Sequence, residues 1–135
     1  MNEKASKARL WCLMKKYDLE ERLINFSVSI INIVNDMPST KPANHLSGQL
    51  IRSGTSVALN YGEAQSAESQ KDFIHKMRIV LKELRESLVC LRIIYKSNLY
   101  GNEDKLLIAK KENKELIAIF VKSIETAKNN LLKSQ

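Results

Sequence analysis

Five consecutive residues, Arg52-Ser53-Gly54-Thr55-Ser56, bring together a guanidinium, three hydroxyls and a glycine, the residue types from which phosphate cradles and acyl-transfer sites are built. A phosphate loop needs a further glycine-lysine-hydroxyl run after a strand, and a nucleophilic serine needs a strand-turn-helix elbow with a histidine in reach. Neither context surrounds this stretch. The only two histidines, His45 and His75, fall in different segments and lack a partner one helical turn away. Glu63 and Glu68 form a carboxylate pair that nothing orients, and Cys12 and Cys90 stand far apart without metal-ligand spacing. These residues predict no catalytic site, no metal and no cofactor.

Electrostatic chemistry is better supplied. The chain of 135 residues carries a net charge of +7, unevenly placed: residues 1–17 hold +4, residues 18–66 −2, residues 67–100 +3 and residues 101–135 +2. At helical period Lys71, His75, Arg78, Lys82, Arg85, Arg92 and Lys96 share an arc of about 100°, while Asp72, Glu83 and Glu86 fall outside it. From Lys71 to Lys96 such a ridge would run roughly 38 Å at about 1.5 Å per residue. That length can follow several phosphates, and neutralising them would release counterions. The competing reading is a solvated face, partly compensated by the i, i+4 pairs Asp72–Lys76 and Lys82–Glu86. No aromatic residue interleaves with the ridge, so backbone charge and shape would dominate over base reading.

These residues need elements to hold them. Breaks at "MPSTKPAN" and "NLYGNED" divide the chain into helical segments. The first is expected to open at Asp18, with Glu21 completing a capping box, and its stripe is Leu19, Leu23, Phe26, Ile30, Val34 and Met37. A second apolar row, Ile24, Val28 and Ile31, lies more than a right angle away. The opening motif belongs to a helix expected from about Asn44 to Gln65, because three rows repeat there at helical period. Leu46, Leu50, Ser53/Gly54, Val57, Tyr61 and Ala64 form a core row; His45, Gln49, Arg52, Ser56, Asn60 and Glu63 form a polar one. Gly48, Ile51, Thr55, Ala58 and Gly62 form the third, whose small side chains suit close approach by another helix. A third helix starts near Ser69. The fourth runs from about Asn102 to Leu132, with Asn113 the odd polar member of its apolar stripe, read as a kink or a buried polar contact.

The resulting expectation is an all-α, antiparallel up-down-up-down four-helix bundle over residues 17–135, preceded by a basic N-terminal extension, helical or disordered, at 1–16. A monomeric bundle needs one buried face per helix. The surplus rows, Ile24, Val28 and Ile31 with Gly48, Ile51, Thr55, Ala58 and Gly62, therefore point to self-association. No run reaches the length of a membrane span, and "LWCLM" is too short for a signal peptide. A cytoplasmic protein with no membrane partner is expected.

The central segment also resembles a known family. The run Arg52-Ser53-Gly54-Thr55-Ser56, then Asn60 to Ala64 with Glu63, Lys71-Asp72-Phe73, and Lys82-Glu83 to Glu86 are similar to the hallmarks of the bacterial four helix bundle proteins, also called rRNA intervening sequence proteins. The similarity runs from about Tyr17 to Leu132. Family members tend to begin near the equivalent of Met14, so residues 1–13 are either a genuine extension or an artefact of start-site choice. The resemblance implies an antiparallel bundle that assembles as a homopentameric ring and has no catalytic site. A more distant similarity is to the accessory protein of diversity-generating retroelements, a basic pentameric barrel that partners a reverse transcriptase and nucleic acid. The motif residues Arg52, Ser53, Gly54, Ser56, Asn60 and Glu63 are expected to be structural, with Arg52 pairing Glu63 or Glu68 or capping a neighbouring helix. The partners expected are further copies of the chain, RNA or DNA through Lys71, Arg78, Lys82, Arg85, Arg92 and Lys96, and, on the alternative reading of a ring-shaped scaffold, a protein.

Overall fold

No glycine or proline interrupts residues 3–35, and a computed structural model forms one helix, α1, over Glu3–Asn35. The structure describes residues 3–134, with side chains from Asp18 onward. The capping box expected at Asp18 is therefore not a helix start; Asp18 lies inside α1. The residues before it are mostly Ala, Leu, Met, Lys, Arg and Glu, all strong helix formers, so nothing there stops the helix. The basic extension continues helically into the bundle, and its side-chain contacts lie outside the described residues.

Helix α2 spans Lys41–Gln65, starting earlier than the expected Asn44. Thr40 is its N-cap and accepts from the Ala43 N–H at 3.3 Å. Pro42 fits within the first turn, where its missing N–H would have no helical partner anyway. Helix α3 spans Gln70–Lys96 behind Ser69, whose hydroxyl accepts from the Asp72 N–H at 3.1 Å. Helix α4 spans Glu103–Lys133 behind Asn102, which accepts from the Lys105 N–H at 3.1 Å. At the end of α3, Asn98 takes a left-handed conformation (φ 54°). The Leu99 and Asn98 N–H groups then bond back to the Ile94 and Tyr95 carbonyls, a Schellman stop.

Consecutive helices are neighbours, and α4 closes back on α1 along the most loosely packed seam. This is the expected all-α four-helix bundle. Its core takes Leu23, Phe26 and Ile30 from α1, Leu50 and Val57 from α2, Leu84, Leu91 and Ile94 from α3, and Leu106, Leu116 and Phe120 from α4. Each such side chain contributes about 1.5–3 kcal/mol on burial. Tyr61 and Phe120 meet edge to face across the bundle, centroids 5.8 Å apart.

Polar ties cross the same core. Ser27 of α1 donates to the Gly54 carbonyl of α2 at 2.9 Å, and Ser53 and Ser87 share a 2.9 Å bond between α2 and α3. Asn113 is fully buried and makes the polar contact suspected from its place in the apolar stripe. With its amide oriented to match its neighbours, the nitrogen donates to the Leu84 carbonyl at 2.9 Å and the oxygen accepts from the Leu88 N–H at 3.1 Å; the surrounding backbone groups assign that orientation. Arg22 joins α1 to Glu112 and Glu115 of α4, and the Glu112 hydrogen bond raises the Arg22 pKa further.

Candidate nucleic-acid interface

A helix presents a long charged row only if its opposite face is held in a core. Met77, Val80, Leu84, Leu91 and Ile94 do that for α3, so the row on the other side stands in solvent. Lys71, Arg78, Lys82, Arg85, Arg92 and Lys96 are all exposed, as is His75. Among the described residues none of these six cations has a carboxylate within ion-pair distance. Of the two compensating pairs considered, Lys76–Asp72 forms at 3.1 Å and lowers the Asp72 pKa. The other does not form, because Glu86 is engaged by Arg52. Two exposed apolar residues, Val89 and Ile93, interrupt the upper half of the ridge.

Helix α4 widens the charged surface. Lys128 lines one groove with Arg85 and Leu81, and a second with Lys71, Arg78 and Ile74. Lys110 lies over the Tyr95 ring, 4.6 Å from its centre, at the other end of the same seam. Lys114 is exposed on the same side of α4. Glu125 is the acid facing the groove between Arg85 and Lys128. The α4 lysines form no separate row in the sequence, because α4 mixes lysine with glutamate and only packing selects which of them face α3.

On the far side of the bundle the surplus rows are outside the core. Ser27 and Gly54 mark where α1 and α2 touch. Counting about 100° per residue from them, both surplus rows turn outward on one side of the seam. Ile24, Val28 and Ile31 are 39%, 48% and 39% exposed, and beside them Leu59 of α2 is 73% exposed. Ile51, Thr55, Ala58 and Gly62 are half-buried, and Gly48 is exposed. A methyl added at Gly48 or Gly62 would meet nothing within 4 Å, whereas at Gly54 it would fall 2.8 Å from Ile30 Cγ2. Close helix approach within the chain thus explains Gly54 alone.

The hydroxyl-rich motif is a joint between helices. Arg52 reaches Glu83 at 3.5 Å, bonds Glu86, and donates to Gln49 at 3.2 Å. Burial raises the Glu83 pKa, with the Glu86 charge adding to it and Arg52 opposing. The expected pairing of Arg52 with Glu63 or Glu68 is overturned: Glu63 lies about three turns along α2, out of reach, while α3 passes directly beside Arg52. Ser53 also donates to the Gln49 carbonyl at 3.0 Å, and Ser56 to the Ser53 carbonyl at 3.0 Å. Asn60 and Glu63 make no side-chain hydrogen bond among the described residues.

One further concavity, about 640 Å³, opens where α2 turns into α3, lined by Leu19, Tyr61, Phe73, Met77 and Ile119 with Arg22 and Lys122 at its rim. Among the described residues no cluster of three metal-ligating side chains occurs, and no helix is long and apolar enough to cross a membrane.

Residues 15–122 match the family of 23S rRNA-intervening sequence proteins. The chain belongs to that family. A solved structure of a protein of unknown function from the S23 ribosomal protein family of Bacteroides thetaiotaomicron VPI-5482 is 27% identical. It superposes with a TM-score of 0.72, covering 78% of this chain and 97% of that one. No curated protein matches the chain. In this 23S rRNA-intervening sequence protein, the two motif halves that looked separate, Arg52-Ser53-Gly54 and Lys82-Glu83 to Glu86, are one contact. Ser87, which the sequence reading passed over, completes it. A serine one turn after Glu83, on the same face as the core, was the available signal.

Proposed function

We propose that this chain is a non-enzymatic, self-associating bundle of the cytoplasm that binds structured RNA or another nucleic acid through the α3 ridge, without a cofactor. One observation carries the reading: Lys71, Arg78, Lys82, Arg85, Arg92 and Lys96 stand exposed on one rigid helix with no carboxylate partner among the described residues. Fixed cations at helical spacing attract phosphates through counterion release. The family description makes RNA the first polyanion to test.

Self-association would use the α1–α2 outer face, with the pentamer implied by the family resemblance as the expected assembly. A closed ring needs a heterologous contact, and small residues facing Ile24, Val28 and Ile31 suit one. The test of binding is a salt titration against a labelled structured RNA. Replacing Arg78, Lys82 and Arg85 with Gln should weaken binding roughly tenfold or more and reduce the salt slope by about 2–3, leaving thermal unfolding unchanged. Unaltered affinity removes the ridge from the account.

The exposure of Leu59 and Val28 favours a second reading, a scaffold whose apolar face docks a protein. On that reading the glutamine variant keeps its partner, and changes at Leu59 lose it.

A further inference from the structure

Resting on the nucleic-acid reading, we infer that the bound form is double-helical RNA, straddled by two rails of cations, one on α3 and one on α4. The α4 rail consists of Lys110, Lys114 and Lys128; the first sits against Tyr95, and the last shares grooves with Lys71, Arg78 and Arg85.

Three features select the duplex. Single strands are held by stacking bases on exposed aromatic rings, and the α3–α4 outer face offers none. Tyr95, the one aromatic residue at this seam among the described residues, is half-buried. Its ring is covered by Lys110, and its hydroxyl donates to Glu103 at 2.9 Å. Second, both rails lie on regular helices rather than on loops that could wrap a flexible strand. Third, packed helices lie about 8–10 Å apart. That pair is broader than the roughly 6 Å minor groove of B-DNA, and the deeper B-DNA major groove admits a single helix. The wide, shallow minor groove of A-form RNA, flanked by its two phosphate strands, accepts a flat two-helix face. Val89 of α3 and Val121 of α4 are exposed near this seam and add no charge to it. Glu125, facing the groove, opposes binding.

The experiment compares the full chain on three fluorescent probes: an RNA duplex of about 16 base pairs, one of its single strands, and the DNA duplex of the same sequence. The expected result is tighter binding to duplex RNA than to either comparator, by roughly tenfold. Lys114→Gln with Lys128→Gln should lower duplex affinity severalfold and flatten its salt dependence by about 1–2 in slope, while Glu125→Gln should raise affinity about twofold to threefold. Equal or tighter binding of the single strand, equal binding of the DNA duplex, or indifference to the α4 variants overturns the two-rail inference while leaving the α3 ridge standing. No binding to any probe at low salt overturns the nucleic-acid reading itself.

Discussion

The two outer faces of this bundle are built on the same scaffold and differ in almost every other respect. Residues 18–66, forming the second half of α1 and all of α2, carry three Lys/Arg against five Asp/Glu. Residues 67–135, forming α3 and α4, carry fourteen against nine. Behind both faces lies an ordinary apolar core. In front of one stand Ile24, Val28, Ile31 and Leu59 over glycine, threonine and alanine; in front of the other, lysine and arginine. Core packing determines only the inward third of each helix. The outward residues are free of that constraint, and here they diverge: apolar and small on one side, cationic on the other.

The strongest way to break this comparison is to place charge on the apolar side. If the chain self-associates through this face as proposed, Val28→Glu combined with Leu59→Glu should weaken that association by at least about 100-fold, because each carboxylate would be buried unpaired at the contact. Sedimentation should show monomers where the parent assembles, with RNA affinity per chain kept. An unchanged mass would move the interface elsewhere.

Glycine substitutions come next in size. Gly54→Ala pushes a methyl into Ile30 and should cost about 1–3 kcal/mol in urea unfolding, despite alanine's better helix propensity. Gly62→Ala and Gly48→Ala meet nothing within 4 Å among the described residues and should stabilise the monomer by up to about 1 kcal/mol. If the same substitutions weaken self-association, the face is packed against a second copy; if they only stabilise, it is not.

The smallest effect is a pH dependence at the joint between the two halves. Burial raises the Glu83 pKa in the fold, so the native state binds its proton more readily than the unfolded chain. Its contribution to stability is full below the unfolded value of about 4.3 and is lost as pH rises through the raised folded value. Glu83→Gln should flatten that arm of the stability-pH curve, measured by thermal melts from acid to neutral pH.

Much of this was legible beforehand. The stripes through Leu23, Phe26 and Ile30, or Leu50, Val57 and Tyr61, follow helical period and are buried as expected. Helix starts at Ser69 and Asn102 were readable from their caps. What stayed hidden depended on neighbours in space. Arg52 finds its carboxylates on another helix, and Lys128 joins Arg78 only because α4 runs back beside α3. Asp18 misled for a local reason: a capping pattern starts a helix only where the preceding residues stop one, and those before Asp18 do not.

Asn113 and its polar companions carry a consequence for how the helices find alignment. Leucine and isoleucine stripes tolerate sliding, since one turn of displacement, about 5.4 Å, brings apolar residues against apolar residues again. Asn113 against Leu84 and Leu88, Ser53 against Ser87 and Ser27 against Gly54 do not repeat. A slipped bundle would strand the Asn113 amide and the Ser27 hydroxyl in a dry interior, each costing about 1–3 kcal/mol, whereas Ser53 and Ser87 would keep the carbonyls of their own helices. The belt of polar contacts therefore acts as a vernier, penalising the misaligned bundles that the greasy stripes alone would accept. The register of the α4 lysines against the α3 cations is inherited from the Asn113 contact.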